Sequence, residues 1–190
     1  MTGKKVYLNC AYMSPMLKKV EKAGIRGIHF QRKPDKIMPE HFFNNIEEIK
    51  KSFAKLINCK NHDRIAYVPA ASYGLANVTN NIKLEKGENV VVVGDQFPSN
   101  VYPWMNLTKK YKGNLNFVLK DTSSKNPGRK WNEDILKAIN KKTGAVILTN
   151  TFGISQNAKK AAQIIKKKEY KYKNKIFLIQ DCCHSFDSSY

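Results

Sequence analysis

The chain of 190 residues contains neither a long apolar run nor a secretory signal. Its apolar runs, such as residues 90–93 and 145–148, are far shorter than the roughly 20 residues that a membrane span requires. The opening residues MTGKKVYLNC include no apolar h-region. These absences exclude a membrane span and predict a cytoplasmic protein with no membrane partner.

Cysteine is scarce, and its spacing fits no common metal or disulfide pattern. The four cysteines form no CxxC pair, and two of them are adjacent: Cys10, Cys59, Cys182 and Cys183. A structural zinc site or a secreted disulfide framework is therefore not expected. We expect reduced and mostly buried thiols. A metal set at residues 181–184 is conceivable, but neighbours along one short segment rarely converge on one ion, so no metal is predicted.

Acidic residues are few, with 15 Asp and Glu against 34 Lys and Arg, which gives a net charge of +19. Such a charge is typical of nucleic-acid-binding proteins. Only four of the basic residues are Arg, however, and Arg is the residue that makes bidentate contacts with bases and phosphates. We attribute the charge to a lysine bias that A/T-rich codons produce, and predict no nucleic-acid partner. A basic nucleic-acid-binding protein is kept as an alternative.

The N-terminal part is predicted to be helical and irregular. Residues 16–23 suit a short helix, and residues 24–39 suit an irregular connection. Apolar residues between 42 and 57 then recur at three- and four-residue spacing, which predicts a strong amphipathic helix.

From residue 64 onward, short apolar runs alternate with helical patterns. The runs are residues 65–68, 90–93, 115–119, 145–149 and 176–179. The helices between them are predicted over residues 72–82, 99–111, 131–139 and 158–167. Asn132 is the expected cap of the third of these helices. The alternation predicts an α/β fold with a mainly parallel sheet flanked by helices.

Ligands of such sheets bind beyond the carboxyl ends of the strands, so the residues after each run form the candidate site. The segment VPAASYGLAN places Ser72 at a helix start, where free N–H groups suit a phosphate, although Ser is also an ordinary N-cap. The segment GDQFPSNVYPW contains Phe97, which suits either stacking on a flat ring or packing in a core.

Two further segments follow the later strands. LTNTFG contains Asn150, whose amide suits either a ligand oxygen or the loop backbone. FLIQDCCHS places Asp181 at the end of an apolar run, where a carboxylate needs a partner. A protonated ring nitrogen would suit Asp181, and His184 follows three residues later.

The chain resembles aminotransferase class V, a family of pyridoxal-phosphate enzymes, in five segments taken in order: YLNCAYMSP, VPAASYGLAN, DQFPSNVYPW, LTNTFG and IQDCCHS. The family includes cysteine desulfurases, selenocysteine lyases and isopenicillin N epimerase-like proteins. The resemblance implies an N-terminal segment, residues 1–38, and part of the large domain of the type I pyridoxal-phosphate (aspartate aminotransferase-like) fold, residues 39–190. It also implies a homodimeric enzyme that acts on an amino acid through an external aldimine, with desulfurase, lyase, transaminase or epimerase chemistry.

The resemblance assigns the phosphate of pyridoxal 5'-phosphate to the start of one helix. Ser72, with the backbone of Ala71 and Tyr73, would hold this phosphate. The family usually has Gly, Thr or Ser where this chain has Ala70, Ala71 and Tyr73.

The remaining roles concern the cofactor ring. Phe97 would stack on the pyridine ring, where many relatives use His. Asp181 would bind the pyridine nitrogen, and an ionised carboxylate there favours the protonated ring, the stronger electron sink. Asn150 would lie near the ring hydroxyl, and His184 would lie close to that hydroxyl and the imine.

In the family, the lysine that forms the imine lies beyond the segment that contains Asp181. No catalytic residue is therefore predicted, because Lys173 and Lys175 precede the last strand and should lie at its opposite end. We expect a truncated chain that is inactive alone. A cofactor-free, flavodoxin-like α/β binding module is a further alternative, in which Phe97 and Asp181 need not share one cavity.

Overall fold

The structure, a computed structural model, describes residues 6–8, 10, 13–150 and 157–183. It divides into two compact units, Met1–Tyr67 and Val68–Tyr190. The boundary at residue 38, which the family resemblance implies, stays a prediction. Within the described ranges, no helix combines the length and the apolar character needed to cross a bilayer.

The first unit is helical. Helix α1 spans Lys18–Phe30 and α2 spans Asn44–Leu56. The prediction of an irregular connection from residue 24 was wrong, because α1 continues to Phe30. Its two internal glycines weaken a helix by only about 1 kcal/mol each relative to Ala. Three short 3₁₀ turns complete this unit: Pro34–Lys36, Pro39–Phe42 and His62–Arg64.

The second unit is built on a parallel sheet of four strands in the order β2-β1-β3-β4. The strands are β1 Asn89–Val93, β2 Asn114–Val118, β3 Thr143–Thr149 and β4 Phe177–Asp181. Every residue of β1 is buried, as the run of valines predicts for a strand covered on both faces. The predicted strand at residues 65–68 was wrong, since this segment pairs with none of the described strands.

Four helices cover the two faces of the sheet: α3 Ala71–Asn81, α4 Tyr102–Lys110, α5 Pro127–Ala138 and α6 Ala158–Tyr172. On one face, Val90 and Val92 pack with Trp104 of α4. On the other, Val91 and Val146 pack with Ile165 of α6. These three layers confirm the predicted α/β fold.

Asparagine caps set the starts of two helices. Asn126 accepts from the N–H of Arg129 at 3.1 Å, so α5 begins four residues earlier than predicted. The prediction that Asn132 caps this helix was therefore wrong, because Asn132 lies inside it. Asn157 caps α6 in the same way, through the N–H of Lys160 at 2.8 Å.

The strand order reverses direction beside β1. The chain moves from β1 outward to β2, then crosses back to β3 on the other side of β1. Right-handed crossovers then require α4 on one face of the sheet and α5 and α6 on the other, as observed. Such a reversal opens a crevice beyond the carboxyl ends of β1 and β3, where ligands of open α/β sheets bind.

Candidate functional site

Two of the predicted site residues lie side by side at the carboxyl edge of the sheet. Asp181 is the last residue of β4, and its register partner is Thr149, the last residue of β3. The backbone N–H of Asn150 donates to the backbone oxygen of Asp181 at 2.9 Å. The parallel pairing of β3 with β4 therefore fixes the backbone of both residues.

The carboxylate of Asp181 is held by hydrogen-bond donors. Its Oδ2 accepts from Nδ2 of Asn100 at 2.6 Å, and its Oδ1 accepts from the backbone N–H of Cys183 at 3.0 Å. Both contacts stabilise a negative charge on the carboxylate. Because Asp181 is only partly buried, the carboxylate combines fixed orientation with access.

A polar network connects three strand ends at this edge. Gln96, three residues beyond β1, accepts at Oε1 from Thr149 Oγ1 at 2.5 Å and from Asn100 Nδ2 at 3.3 Å. Its Nε2 donates to the backbone oxygen of Gly94 at 3.3 Å. Through Asn100, the same network reaches Asp181 of β4. We call these four side chains, Gln96, Asn100, Thr149 and Asp181, the carboxyl-end cluster.

Phe97 lies at the start of the turn that carries Asn100. It is the N-cap of a 3₁₀ turn, Pro98–Asn100, and its backbone oxygen accepts from the N–H of Asn100 at 2.8 Å. Its side chain is 63% exposed, so it is not packed in the core of the described chain. An aromatic ring left accessible beside a site is available for stacking on a flat ligand.

The start of α3 presents unpaired backbone groups. Ala70 is the N-cap in an extended conformation, and no side chain caps the helix. Ser72 is therefore not the N-cap, but the second helical residue, between Ala71 and Tyr73. The N–H groups of these first three residues have no partner within the helix, and all three residues are exposed. The helix packs against the Pro98–Asn100 turn.

Three other residues considered in the sequence analysis, Asn150, His184 and Lys175, have different surroundings or lie outside the described residues. Asn150 is buried, and its side chain contacts Cys182 Sγ and Gln180 Nε2 at 3.5 and 3.4 Å. His184 lies outside the described residues. Lys175 precedes β4 and pairs with Glu169 at 3.5 Å, at the opposite end of the strand from Asp181. It is thus placed as the sequence predicts.

All four cysteines are free, and three of them are exposed, so the expectation of mostly buried thiols was wrong. Partial burial of the thiol, together with the hydrogen bond and charge of Asp181, raises the pKa of Cys183 to about 11. A thiol with this pKa is protonated at neutral pH and is a poor nucleophile. The Cys182–Cys183 pair therefore offers no activated thiolate at Cys183.

The first unit contains one group of possible metal ligands among the described residues. The ligand atoms of Glu47, His62 and Asp63 lie within 4.8 Å of one another. Lys50 Nζ, however, lies 2.7 Å from Glu47 and 3.7 Å from Asp63. Its hydrogen bond lowers the pKa of Glu47. The ammonium group of Lys50 already pairs with both carboxylates, so this group is an ion-pair cluster.

Sequence reasoning missed Gln96, Asn100 and Thr149. Asn100 lies in a Pro-Ser-Asn turn, where Asn is an ordinary turn residue, and its partner Asp181 is 81 positions away. The useful signal is its place within three residues of the candidate ring-stacking aromatic, Phe97.

Several solved structures share the fold of this chain. A mutant of C-DES with glycine covalently linked to its PLP cofactor aligns with a TM-score of 0.81 and 12% identity, over 94% of this chain and 47% of that one. The cysteine desulfurase CsdA from Escherichia coli aligns with a TM-score of 0.67 and 12% identity, over 90% of this chain and 44% of that one. The predicted type I pyridoxal-phosphate fold is confirmed.

Curated relatives are cysteine desulfurases. That of Wigglesworthia glossinidia brevipalpis is 26% identical over 159 residues, which cover 80% of this chain and 35% of the relative. The cysteine desulfurase SufS of Plasmodium vivax is 27% identical over 147 residues, which cover 74% of this chain and 25% of the relative. The chain thus spans about a quarter to a third of the length of these relatives. The family model for aminotransferase class V matches residues 31–178, so the chain belongs to the aminotransferase class-V family.

Proposed function

We propose that this chain forms the cofactor-binding part of a pyridoxal-5'-phosphate enzyme that acts on an amino acid. Membership of aminotransferase class V supports this assignment. The observation that carries it is the carboxylate of Asp181, oriented by Asn100 at 2.6 Å at the carboxyl edge of the sheet. Among the reactions of the class, the names of the relatives favour cysteine desulfurase chemistry.

The residues at this edge fit the cofactor in charge and shape. The start of α3 offers the N–H groups of Ala71, Ser72 and Tyr73, and the partial positive charge of a helix N-terminus suits a phosphate dianion. Phe97 offers an exposed ring for the face of the pyridine. Asp181 offers a partly exposed carboxylate for a protonated ring nitrogen.

Each residue then has a definite task. Bound pyridoxal phosphate supplies an electron sink for the α-carbon of an amino acid. Asp181 holds the proton on the ring nitrogen through a charge-assisted hydrogen bond. Phe97 fixes the plane of the ring, which sets the direction of the bond to be broken. The roles of Asn150 near the ring hydroxyl and of His184 stay predictions, as do a homodimer and a cytoplasmic location.

The test must avoid the aldehyde of pyridoxal phosphate, because it reacts with amines and the chain has thirty lysines. Pyridoxamine 5'-phosphate and 4'-deoxypyridoxine 5'-phosphate keep the ring and phosphate without that aldehyde. We expect calorimetry to show one site for each, and much weaker binding of pyridoxamine, which lacks the phosphate. Binding of inorganic phosphate with the same affinity would contradict recognition of the ring.

Asp181→Asn tests the assigned carboxylate. We expect it to weaken pyridoxamine 5'-phosphate at least tenfold, since a hydrogen bond to a charged group contributes about 1.5–3 kcal/mol and 1.4 kcal/mol is tenfold in affinity. The matched control is Asp121→Asn, which removes one charge from an exposed turn where Asp121 accepts from Ser123. An equal loss in both variants would mean that the loss in Asp181→Asn does not depend on the place of Asp181 at the carboxyl edge.

A further inference from the structure

Asn100 is buried at the carboxyl edge with only half of its amide paired. Only 1% of the residue is exposed. Its Nδ2 donates to Asp181 Oδ2 at 2.6 Å and to Gln96 Oε1 at 3.3 Å. Its Oδ1 is buried and has no hydrogen-bond partner in the part of the chain that the structure describes.

The neighbours of Asn100 determine which way its amide points. Both partners of Nδ2 are acceptors, because Nε2 of Gln96 already donates to Gly94. A flipped amide would instead bring Oδ1 against two other acceptors, Asp181 Oδ2 and Gln96 Oε1. The observed orientation therefore gives Asp181 a hydrogen-bond donor and leaves Oδ1 of Asn100 unpaired among the described residues.

An unpaired buried acceptor is unfavourable, and an apolar side chain of the same shape would avoid it. Local arrangements that oppose stability occur preferentially at functional sites. Asn100 is also well placed for a functional task, since its backbone N–H fixes the turn of Phe97 at 2.8 Å. One residue thus connects the ring-stacking candidate to the carboxylate.

We propose that Asn100 is a positioning residue for Asp181. By donating to Oδ2, it holds the carboxylate charged and in one orientation, ready for the ring nitrogen of the cofactor. This inference rests on the function proposed above and deepens it, because it adds a residue that acts on the cofactor through Asp181.

The test is Asn100→Leu, which keeps the approximate shape of the side chain and removes both the donor and the unpaired acceptor. The first readout needs no cofactor: the carboxyl carbon of Asp181 is titrated by carbon-13 NMR and assigned with Asp181→Asn. Loss of a donor to the charged form should raise the titration midpoint by about one pH unit. Cys182 and Cys183, the neighbouring titratable groups among the described residues, stay unchanged in every variant.

The second readout is the affinity for pyridoxamine 5'-phosphate, which we expect to fall five- to tenfold in Asn100→Leu. Asn89→Leu is the matched control, because it makes the same change at another buried Asn, at the opposite end of the sheet, where Asn89 pairs with Thr143 and Asn140. In this control the affinity should stay within twofold of wild type, and the Asp181 midpoint should not move. If Asn100→Leu does not fold, Asn100→Ala is measured in the same two ways.

The outcomes separate the two proposals. Failure of the wild-type chain to bind pyridoxamine 5'-phosphate would overturn the proposed function and this inference together. A wild-type chain that binds, with an unchanged Asp181 titration in the Asn100 variant, would overturn the role of Asn100 alone. The same holds for a raised midpoint with unchanged affinity, or for equal effects in Asn89→Leu.

Discussion

The two ends of the sheet bury polar side chains in different ways. At the amino end, Glu88 Oε1 accepts from Asn174 Nδ2 at 2.8 Å, and Thr143 Oγ1 donates to Asn89 Oδ1 at 2.9 Å. With Asn140, these side chains form the amino-end cluster. Among the described residues, two buried polar side-chain atoms have no hydrogen-bond partner, and neither belongs to this cluster. The carboxyl-end cluster contains one, Oδ1 of Asn100.

Space differs between the two ends as well. A Cβ atom on Gly113 would lie 1.8 Å from the backbone oxygen of Glu88, so the chain is closely packed at the amino end. At the carboxyl end, Asp181 is only partly buried and Phe97 is exposed. We infer that the paired, closed cluster stabilises the fold, whereas the partly exposed cluster with an unpaired atom is suited to a ligand.

A substitution in the amino-end cluster should have the largest effect of those predicted here. It should lower the free energy of unfolding and leave cofactor binding unchanged. Glu88→Ala removes the acceptor of Asn174 and of the N–H of Glu85 at 2.7 Å. We expect the free energy of unfolding, measured by urea denaturation, to fall by about 2–4 kcal/mol, because two hydrogen bonds to a buried carboxylate are lost. Affinity of the folded chain for pyridoxamine 5'-phosphate should stay within twofold.

The control for Glu88 is its exposed neighbour, Glu85. Glu85→Ala should change the free energy of unfolding by no more than about 0.5 kcal/mol, as expected for a surface site. A similar loss in both variants would show that the amino-end cluster contributes nothing beyond general charge.

At the carboxyl end, Phe97→Ala should have a smaller effect, and on binding rather than stability. Aromatic contacts contribute about 0.5–1.5 kcal/mol, so we expect a two- to tenfold loss of affinity for pyridoxamine 5'-phosphate. The melting temperature should hardly change, because the ring is 63% exposed. Phe42→Ala, at 65% exposure in the first unit, is the control. A collapsed melting temperature with unchanged affinity would assign Phe97 to the core.

The smallest effect that we predict is a change in the reactivity of the Cys183 thiol, which lies beside Asp181. It is measured in a variant that keeps Cys183 and replaces the other three cysteines. The alkylation rate of Cys183 should increase with pH, with a midpoint at about pH 11. Only the thiolate reacts, and the pKa of the Cys183 thiol is raised to about 11. Asp181→Asn should lower this midpoint, since the carboxylate charge is removed while burial persists. An unchanged midpoint would show that Asp181 does not act on Cys183.

The sequence predicts what depends on local pattern. The valines of β1 indicate a strand buried on both faces, and the apolar run before Asp181 places a carboxylate at the end of a strand. The run at residues 65–68 is also apolar but pairs with no described strand. Pairing depends on which neighbours the topology supplies, and composition does not contain that information.

Contacts between distant residues could not be predicted. The carboxyl-end cluster exists because β1, β3 and β4 end at one edge, which brings Asn100 to Asp181. In the sequence, Asn100 is one asparagine of many, and only its place three residues after Phe97 separates it from the cap at Asn126. Burial and an unpaired Oδ1 distinguish it, and both are properties of the folded chain.

The position of β4 has a consequence for how the sheet can grow. Among the described strands, β4 pairs only with β3, so its outer row of N–H and C=O groups is a template for β-augmentation. A guest strand that pairs in parallel with β4 would run toward the same edge of the sheet as Asp181. The same edge favours self-association through strand addition, so the binding measurements belong at low protein concentration.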